Sequence, residues 1–277
     1  MTAHSTRPLL ALQDRLQLRE RIEMVLRLGD SSVFIGHAVF ASSWQELACL
    51  GERHPGSPAL VDPSLVGFSD TTSEELTPGG RRDWSSTPLI LYAERNSPEH
   101  GTRPPGFSFT ARVRAGLVDD DIDALDAAIM RSIDVRRVHL LLERLGRCAD
   151  PFAHRVLRHA LELAIGPATV SQIVGSLGMP RRTLQRRCAV LGIPGPQTLI
   201  SLARVFTVER LSKWSSRPAG AIALALGFSH RANYRRLTRR LLGVPPSILE
   251  ERGGADYVEE AIVRAVDLRG SASVTDV

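Results

Sequence analysis

The length of 277 residues predicts two folded domains. The hydrophobic content of 43% argues against a disordered chain. The sequence has no run of about 18 apolar residues that could span a membrane and no signal-peptide core, so we expect a cytoplasmic protein. The net charge is +5, and the three cysteines are widely separated. That spacing argues against a disulfide framework or a zinc site, and we expect neither a metal nor a cofactor.

Helices and strands alternate among the predicted elements of the first half. In chain order the first are a helix over 9–28 ended by Gly29-Asp30, one or two strands over 32–41, and a helix over 43–52 capped by Ser43. The segment 57–67 then contains a short apolar strand that ends at Asp62-Pro63. A loop over 69–86, a strand over 87–94, a loop over 96–106, a strand over 107–113 and a helix over 119–133 follow. This alternation predicts an α/β domain with a mainly parallel sheet.

From about residue 135 onward the pattern is helical throughout. We place a domain boundary near 148–151, where Pro151 suits the first position of a new helix. Residues 1–148 are therefore expected to form an α/β regulatory or dimerisation domain, and residues 151–250 an all-α domain. The remaining residues, 251–277, are expected to form a short helix over 255–266 and a flexible tail.

Positive charge is confined to one part of the chain. Residues 151–250 carry 15 arginines and lysines against 3 acidic residues, a net charge of +12, whereas both flanking segments are net acidic. Lys213 is the only lysine, and arginine forms bidentate contacts with phosphate and guanine that lysine makes less well. The pattern predicts a polyanionic partner, and double-stranded DNA fits it.

Two helix-turn-helix patterns lie in this basic segment. In the first, Thr169 caps a short helix over 170–177, Gly178 supplies the turn, and Pro180 opens a second helix. In the second, a helix over 219–226 is followed by a turn at Gly227-Phe228 and by a helix that Ser229 caps and that runs to about Arg240. One long amphipathic helix over 196–214 joins the two patterns.

The stretch "AIALALGFSHRANYRRLTRRLLGVPPS" resembles the signature of the AraC/XylS family of transcription regulators, and Thr183-Leu184-Gln185-Arg186 resembles the corresponding segment of the first unit. The resemblance covers about 155–250, and Arg204 matches an arginine common in the family's linker helix. It implies two recognition helices in successive major grooves on one face of the DNA, and RNA polymerase as a further partner. Three residues depart from the family pattern: Pro180 replaces a serine, and Tyr234 and Thr238 each replace a phenylalanine.

Exposed position and family resemblance together select the candidate DNA contacts. Arginine donates two hydrogen bonds to guanine, and glutamine or asparagine pairs with adenine. The candidates for base contacts are Arg181, Arg182, Gln185, Arg186, Arg231, Asn233, Arg235 and Arg236. Arg187, Arg239 and Arg240 are candidates for phosphate contacts, which set register without reading sequence.

The first half weakly resembles a response-regulator receiver domain, with Asp62 at the place of the phosphoacceptor. Several features oppose phosphotransfer: there is no lysine in this half, Ala93 replaces the hydroxyl residue of the fourth strand, and Asp30 follows a helix. We therefore interpret Asp62 as a turn acid and the domain as a degenerate receiver that could form a homodimer. Two alternatives stay open: a signalling domain that is phosphorylated on Asp62, and a partner-binding protein with a vestigial DNA domain.

Overall fold

The computed structural model describes residues 7–65, 87–94, 109–116, 121–166 and 168–267. The chain divides into two compact units, Met1–Arg136 and Arg137–Val277, which are described in turn. None of the helices in the described ranges is long and apolar enough to cross a membrane. The loops predicted over 69–86 and 96–106, and the tail beyond residue 267, lie outside the described residues.

The first unit contains one five-stranded sheet and three helices. The strands are β1 (Arg7–Leu12), β2 (Ile35–Ala41), β3 (Ala59–Val61), β4 (Leu89–Glu94) and β5 (Phe109–Ala115), and the helices are α1 (Leu16–Leu28), α2 (Trp44–Arg53) and α3 (Asp121–Ser132). All strand pairs are parallel, and the strand order is β2-β1-β3-β4-β5. This is the doubly wound order that flavodoxin and receiver domains share. The predicted receiver-like α/β fold with a parallel sheet is therefore confirmed.

The helix predicted over 9–28 is wrong in its first part, because Arg7–Leu12 is the central strand β1. Leu9, Leu10 and Ala11 are fully buried, since β1 is paired on both edges and covered on both faces. A strand covered on both faces is apolar throughout, so it lacks the period-two alternation that distinguishes a strand from a helix. The remainder of the prediction holds, because α1 ends at Leu28 as expected.

Gly29 ends α1 at a point of close approach to α3. The Asp126 carboxylate of α3 accepts hydrogen bonds from the backbone N–H groups of Asp30 and Ser31, each at 3.0 Å. A Cβ atom on Gly29 would lie 2.4 Å from Asp126 Oδ1 and 2.8 Å from the Val25 carbonyl oxygen. Glycine is therefore required here for space.

The second unit is built of helices, with one isolated antiparallel bridge between Ala149 and Asp267 among its described residues. Its helices are α4 (Val135–Cys148), α5 (Pro151–Leu163), α6 (Val170–Leu177), α7 (Arg181–Val190), α8 (Pro196–Ser215), α9 (Ala219–Ala225), α10 (Arg231–Leu242), α11 (Pro246–Glu251) and α12 (Ala255–Val266). The fold class predicted from the sequence, an α/β part followed by an all-α part, is thus confirmed.

The second unit begins earlier than the expected boundary near 148–151, because α4 is bound to α12. Arg144 forms ion pairs with Glu260 at 2.6 Å and Glu259 at 3.4 Å, and Leu141 and Leu145 of α4 are fully buried. The predicted helix opened by Pro151 is present as α5, and the Asp150 side chain caps it by accepting from Phe152 N at 2.7 Å.

Helix α8 is the core of the second unit. It packs against α5, α6, α7, α9, α10 and α12, and 15 of its 20 residues are buried. The expectation of an amphipathic helix is therefore wrong, since neighbours cover α8 on all sides. The helix predicted over 255–266 is present as α12, and its apolar residues, such as Val258 and Ile262, are fully buried.

Candidate nucleic-acid interface

The first helix-turn-helix consists of α6 and α7. A reciprocal capping box opens α6: Thr169 Oγ1 accepts from Gln172 N at 3.3 Å, and Gln172 Oε1 accepts from Thr169 N at 2.8 Å. Gly178 ends α6 in the left-handed conformation at φ 58°, which favours glycine. Pro180 is the N-cap of α7 and makes no side-chain cap hydrogen bond, so the helix begins at Arg181, one residue later than predicted.

Helix α7 presents polar side chains to solvent and apolar ones to the core. Leu184 and Cys188 are buried, and burial raises the pKa of the Cys188 thiol. The candidate DNA contacts of this helix are all exposed: Arg181, Arg182, Gln185, Arg186 and Arg187. The Arg187 guanidinium carbon lies 5.3 Å from the centre of the Phe152 ring of α5, in a cation–π contact.

The second helix-turn-helix consists of α9 and α10. Gly227 turns the chain at φ 77°, as predicted, but the N-cap of α10 is His230 rather than Ser229, and no side chain caps this helix. The Ser229 hydroxyl instead accepts from Asn233 Nδ2 at 2.6 Å. The side chain of Arg231 lies across Gly220 of α9, where a Cβ atom would come within 3.3 Å of Arg231 Cδ.

Four arginines of α10 form a continuous basic surface. All four are exposed, and together with Ala232 they line one groove along the helix; they are Arg235, Arg236, Arg239 and Arg240. The sequence divides these arginines into base and phosphate contacts, and the structure brings them together on one surface. Asn233 lies beside them and is half-buried.

The two departures from the family pattern in α10 are both buried, and one of them forms a polar contact with α8. Tyr234, which is 1% exposed, donates its hydroxyl hydrogen bond to Glu209 of α8, which is 5% exposed. Thr238 Oγ1 donates to the Tyr234 carbonyl oxygen at 3.0 Å, so its buried hydroxyl is satisfied. Burial raises the pKa of Glu209, while the Tyr234 hydrogen bond partly opposes that rise.

Arg204 of α8 contacts the turn of the second helix-turn-helix. Its Nη2 donates to the Leu226 carbonyl oxygen at 2.9 Å, and its guanidinium carbon lies 3.9 Å from the centre of the Phe228 ring. Phe228 in turn makes an edge-to-face contact with Tyr234. Burial lowers the pKa of Arg204. Arg204 and Glu209 thus attach the second helix-turn-helix to α8.

Two neighbouring helix-turn-helix units on one buried helix are thus present, and their exposed second helices are rich in arginine. Residues 173–252 match a family model described as a helix-turn-helix domain. These residues are an AraC-type helix-turn-helix domain. The chain is accordingly a DNA-binding transcription regulator, as the sequence predicts.

Two solved structures are similar to the chain at low identity. One is the chemotaxis response regulator CheY4 of Vibrio cholerae, with 14% identity and a TM-score of 0.33, covering 45% of this chain and 99% of that chain. The other is full-length FixJ from B. japonicum, with 11% identity and a TM-score of 0.34, covering 84% of this chain and 96% of that chain. No curated protein matches the chain.

In the described part of the basic segment, the acidic residues do not pair with the exposed arginines of the recognition helices. Of the three acids in residues 151–250, Glu162 pairs with His159 at 3.2 Å and Glu209 is bound to Tyr234. The third, Glu250, lies on α11. Helices α7 and α10 contain no acidic residue, so their surfaces present uncompensated positive charge.

The carboxyl edge of the first unit's sheet does not favour phosphotransfer. Asp62 is 2% exposed, and its Oδ1 accepts from Ser64 N at 3.0 Å and Ser64 Oγ at 2.6 Å, which supports its interpretation as a turn acid. Arg15 forms an ion pair with Glu94 at the end of β4, and this contact lowers the pKa of Glu94. The Arg15 guanidinium at this edge is thus already paired with a carboxylate of the chain.

Sequence reasoning missed two sets of residues. Because β1 was predicted as helix, Asp14 was not identified as the acid that follows the first strand. Arg15, which also follows this strand, was missed for the same reason. Glu209 was also missed. Its signal was present, since a single carboxylate in the apolar stretch of α8 needs a partner, and Tyr234 is a hydroxyl donor where the family has phenylalanine.

Proposed function

We propose that the chain recognises one DNA sequence by placing α7 and α10 in successive major grooves. The observation that carries this proposal is a pair of exposed arginine surfaces. They lie on the second helices of the two helix-turn-helix patterns, and both of these helices pack against α8. Arginine side chains on a helix of this kind reach guanine O6 and N7 in the major groove.

Position on each helix suggests a division of labour. Residues in the first two turns of a recognition helix meet base edges, which selects Arg181, Arg182, Gln185 and Arg186 on α7, and Arg231, Arg235 and Arg236 on α10. Asn233 also lies in the first turn of α10, but its amide is hydrogen-bonded to Ser229 and Arg236. Residues further along meet phosphates, namely Arg239 and Arg240. Arg187 belongs with these, because its contact with Phe152 directs the guanidinium toward α5.

Substitution of single arginines separates the two roles. Arg236→Ala should relax preference at one base position and weaken the specific site by about 1–3 kcal/mol. Arg240→Ala should weaken all duplexes about equally and reduce the salt slope by about 1. Both residues are exposed on the same helix, so each variant serves as the control for the other.

Gel shifts with a specific and a scrambled duplex over a range of salt concentrations measure both effects. Wild-type binding should weaken steeply as salt rises, because phosphate neutralisation releases counterions. A chain that binds without sequence preference and without salt dependence would refute the proposal.

The first unit is assigned a regulatory or dimerisation role, with a second copy of the chain as partner and RNA polymerase as the partner of the bound regulator. These assignments follow from the regulator class and from the receiver-like fold. We expect the protein to act in the cytoplasm, with its DNA, and we assign no catalytic step to it. Sedimentation of the full chain with and without operator DNA tests the dimer. The mass of one chain when free, and of one chain per duplex when bound, would exclude it.

A further inference from the structure

Three polar side chains at the start of α10 are joined in a chain of hydrogen bonds. Asn233 Nδ2 donates to Ser229 Oγ at 2.6 Å, and Arg236 Nη2 donates to Asn233 Oδ1. Asn233 lies four residues after Ser229 and three residues before Arg236, and these spacings place the three side chains in one row along the start of the helix. Ser229 and Arg236 are exposed, and Asn233 between them is half-buried.

The chemistry of these groups fixes the orientation of the Asn233 amide. A guanidinium only donates hydrogen bonds, so the amide atom facing Arg236 must be the oxygen. The amide nitrogen then faces Ser229, whose hydroxyl oxygen accepts. Rotating the amide by half a turn would place its N–H donors against the N–H donors of Arg236, with no acceptor between them.

This orientation limits what Asn233 can do at a base. An adenine contact needs the oxygen and the nitrogen of one amide aimed together at the base edge. In α10 the amide oxygen accepts from Arg236 and one of the two amide N–H groups donates to Ser229, so the amide is held between these two side chains. Arg236 keeps further N–H donors for a base after donating one hydrogen bond to Asn233, because its guanidinium carries five.

We propose that Ser229 and Asn233 are positioning residues that hold the guanidinium of Arg236 ready for a guanine, and that Asn233 itself contacts no base. The inference rests on the proposed entry of α10 into the major groove. Arginine loses more side-chain freedom than most residues when it is immobilised on binding. A guanidinium that is already held by Asn233 loses less of that freedom when it meets DNA.

Helix α7 offers a matched contrast. Within the described part of α7, the exposed side chains Arg182, Gln185 and Arg186 make no comparable hydrogen bond to one another. Gln185→Ala is therefore a control that removes an exposed amide from a recognition helix without releasing an arginine.

The test is selection of preferred sequences from a randomised duplex library by the full chain and its variants. Arg236→Ala should reduce preference for guanine at one position by about 5- to 100-fold. Asn233→Ala should reduce preference at that same position by about 2- to 10-fold, and combining it with Arg236→Ala should add nothing. Ser229→Ala should resemble Asn233→Ala, Ser229→Thr should preserve the wild-type preference, and Gln185→Ala should act elsewhere in the site.

Other results would overturn the inference. Relaxed preference at a second position in Asn233→Ala, or an additive loss in the double variant, would show that Asn233 reads its own base. An equal loss of affinity for all sequences, together with faster hydrogen exchange of α10, would show a structural role. If the wild-type chain selects no sequence, the proposed function fails as well. If the wild-type chain selects a sequence, and Asn233→Ala selects the same sequence with the same preference while Arg236→Ala does not, the inference alone fails.

Discussion

Replacing Tyr234 with phenylalanine isolates the buried contact between the linker helix and the second recognition helix. The ring stays and only the hydroxyl is lost, so the edge-to-face packing on Phe228 is retained. Glu209 is 5% exposed and loses the donor that Tyr234 provides. Hydrogen bonds to charged groups contribute about 1.5–3 kcal/mol, so we expect Tyr234→Phe to destabilise the α8–α10 contact by about this amount at neutral pH.

The loss should depend on pH in a defined direction. Burial holds the pKa of Glu209 above its usual range, and the Tyr234 hydrogen bond opposes that rise. A carboxyl with a raised folded-state pKa contributes stability that is present below its unfolded pKa and is lost as pH rises through its folded pKa. Removing the Tyr234 hydroxyl raises the folded pKa further. The variant should therefore lose less stability near pH 4.5, where the raised pKa keeps Glu209 more protonated, than near pH 7.

Hydrogen exchange of α8 and α10 peptides in the full chain, read by mass spectrometry, measures this local stability. Glu209→Gln supplies the control background, because the neutral amide accepts from Tyr234 without a buried charge. In that background Tyr234→Phe should cost only about 0.5–1.5 kcal/mol and show little pH dependence. Equal losses in both backgrounds, or a loss that does not change between pH 4.5 and pH 7, would refute the reasoning.

Two further substitutions test local features. Gly29→Ala should destabilise the first unit by about 1–3 kcal/mol, because its Cβ atom would displace the Asp126 carboxylate. Thermal unfolding measures this loss. Gly175→Ala is the control and should be neutral or stabilising, since its Cβ atom would meet nothing within 4 Å. Thr169→Ala should cost about 1 kcal/mol by removing a cap of α6, and unchanged exchange of the Gln172 amide would contradict the capping box.

The features that the sequence predicts best are local ones. The Thr169 cap, the Gly178 turn and the Gly227 turn each depend on residues within a few positions of one another, and all are present. The strand at Arg7–Leu12 was missed because its identity depends on the two neighbouring strands that pair with its edges. A run of four buried apolar residues carries no period of its own.

The features that the sequence does not predict join residues far apart in the chain. Glu209 and Tyr234 are 25 residues apart, and Arg15 meets Glu94 across the sheet. Their residue types signal only that a partner is needed, and the fold determines which one. Ser229 shows a different limit, since a residue suited to capping a helix is also suited to binding Asn233, and local pattern cannot choose between them.

The burial of α8 on all sides has a consequence for the DNA rather than for the protein. Helices α7 and α10 both pack on α8, which four further helices also contact, so in the proposed binding mode the interval between the two recognition helices is set by the protein. One extra base pair between the two halves of an operator would move one half by about 3.4 Å along the axis and rotate it by about 35°. Such an operator must bend or lose one half of its contacts, and the number of base pairs between the halves is then as much a part of the recognised sequence as the bases themselves.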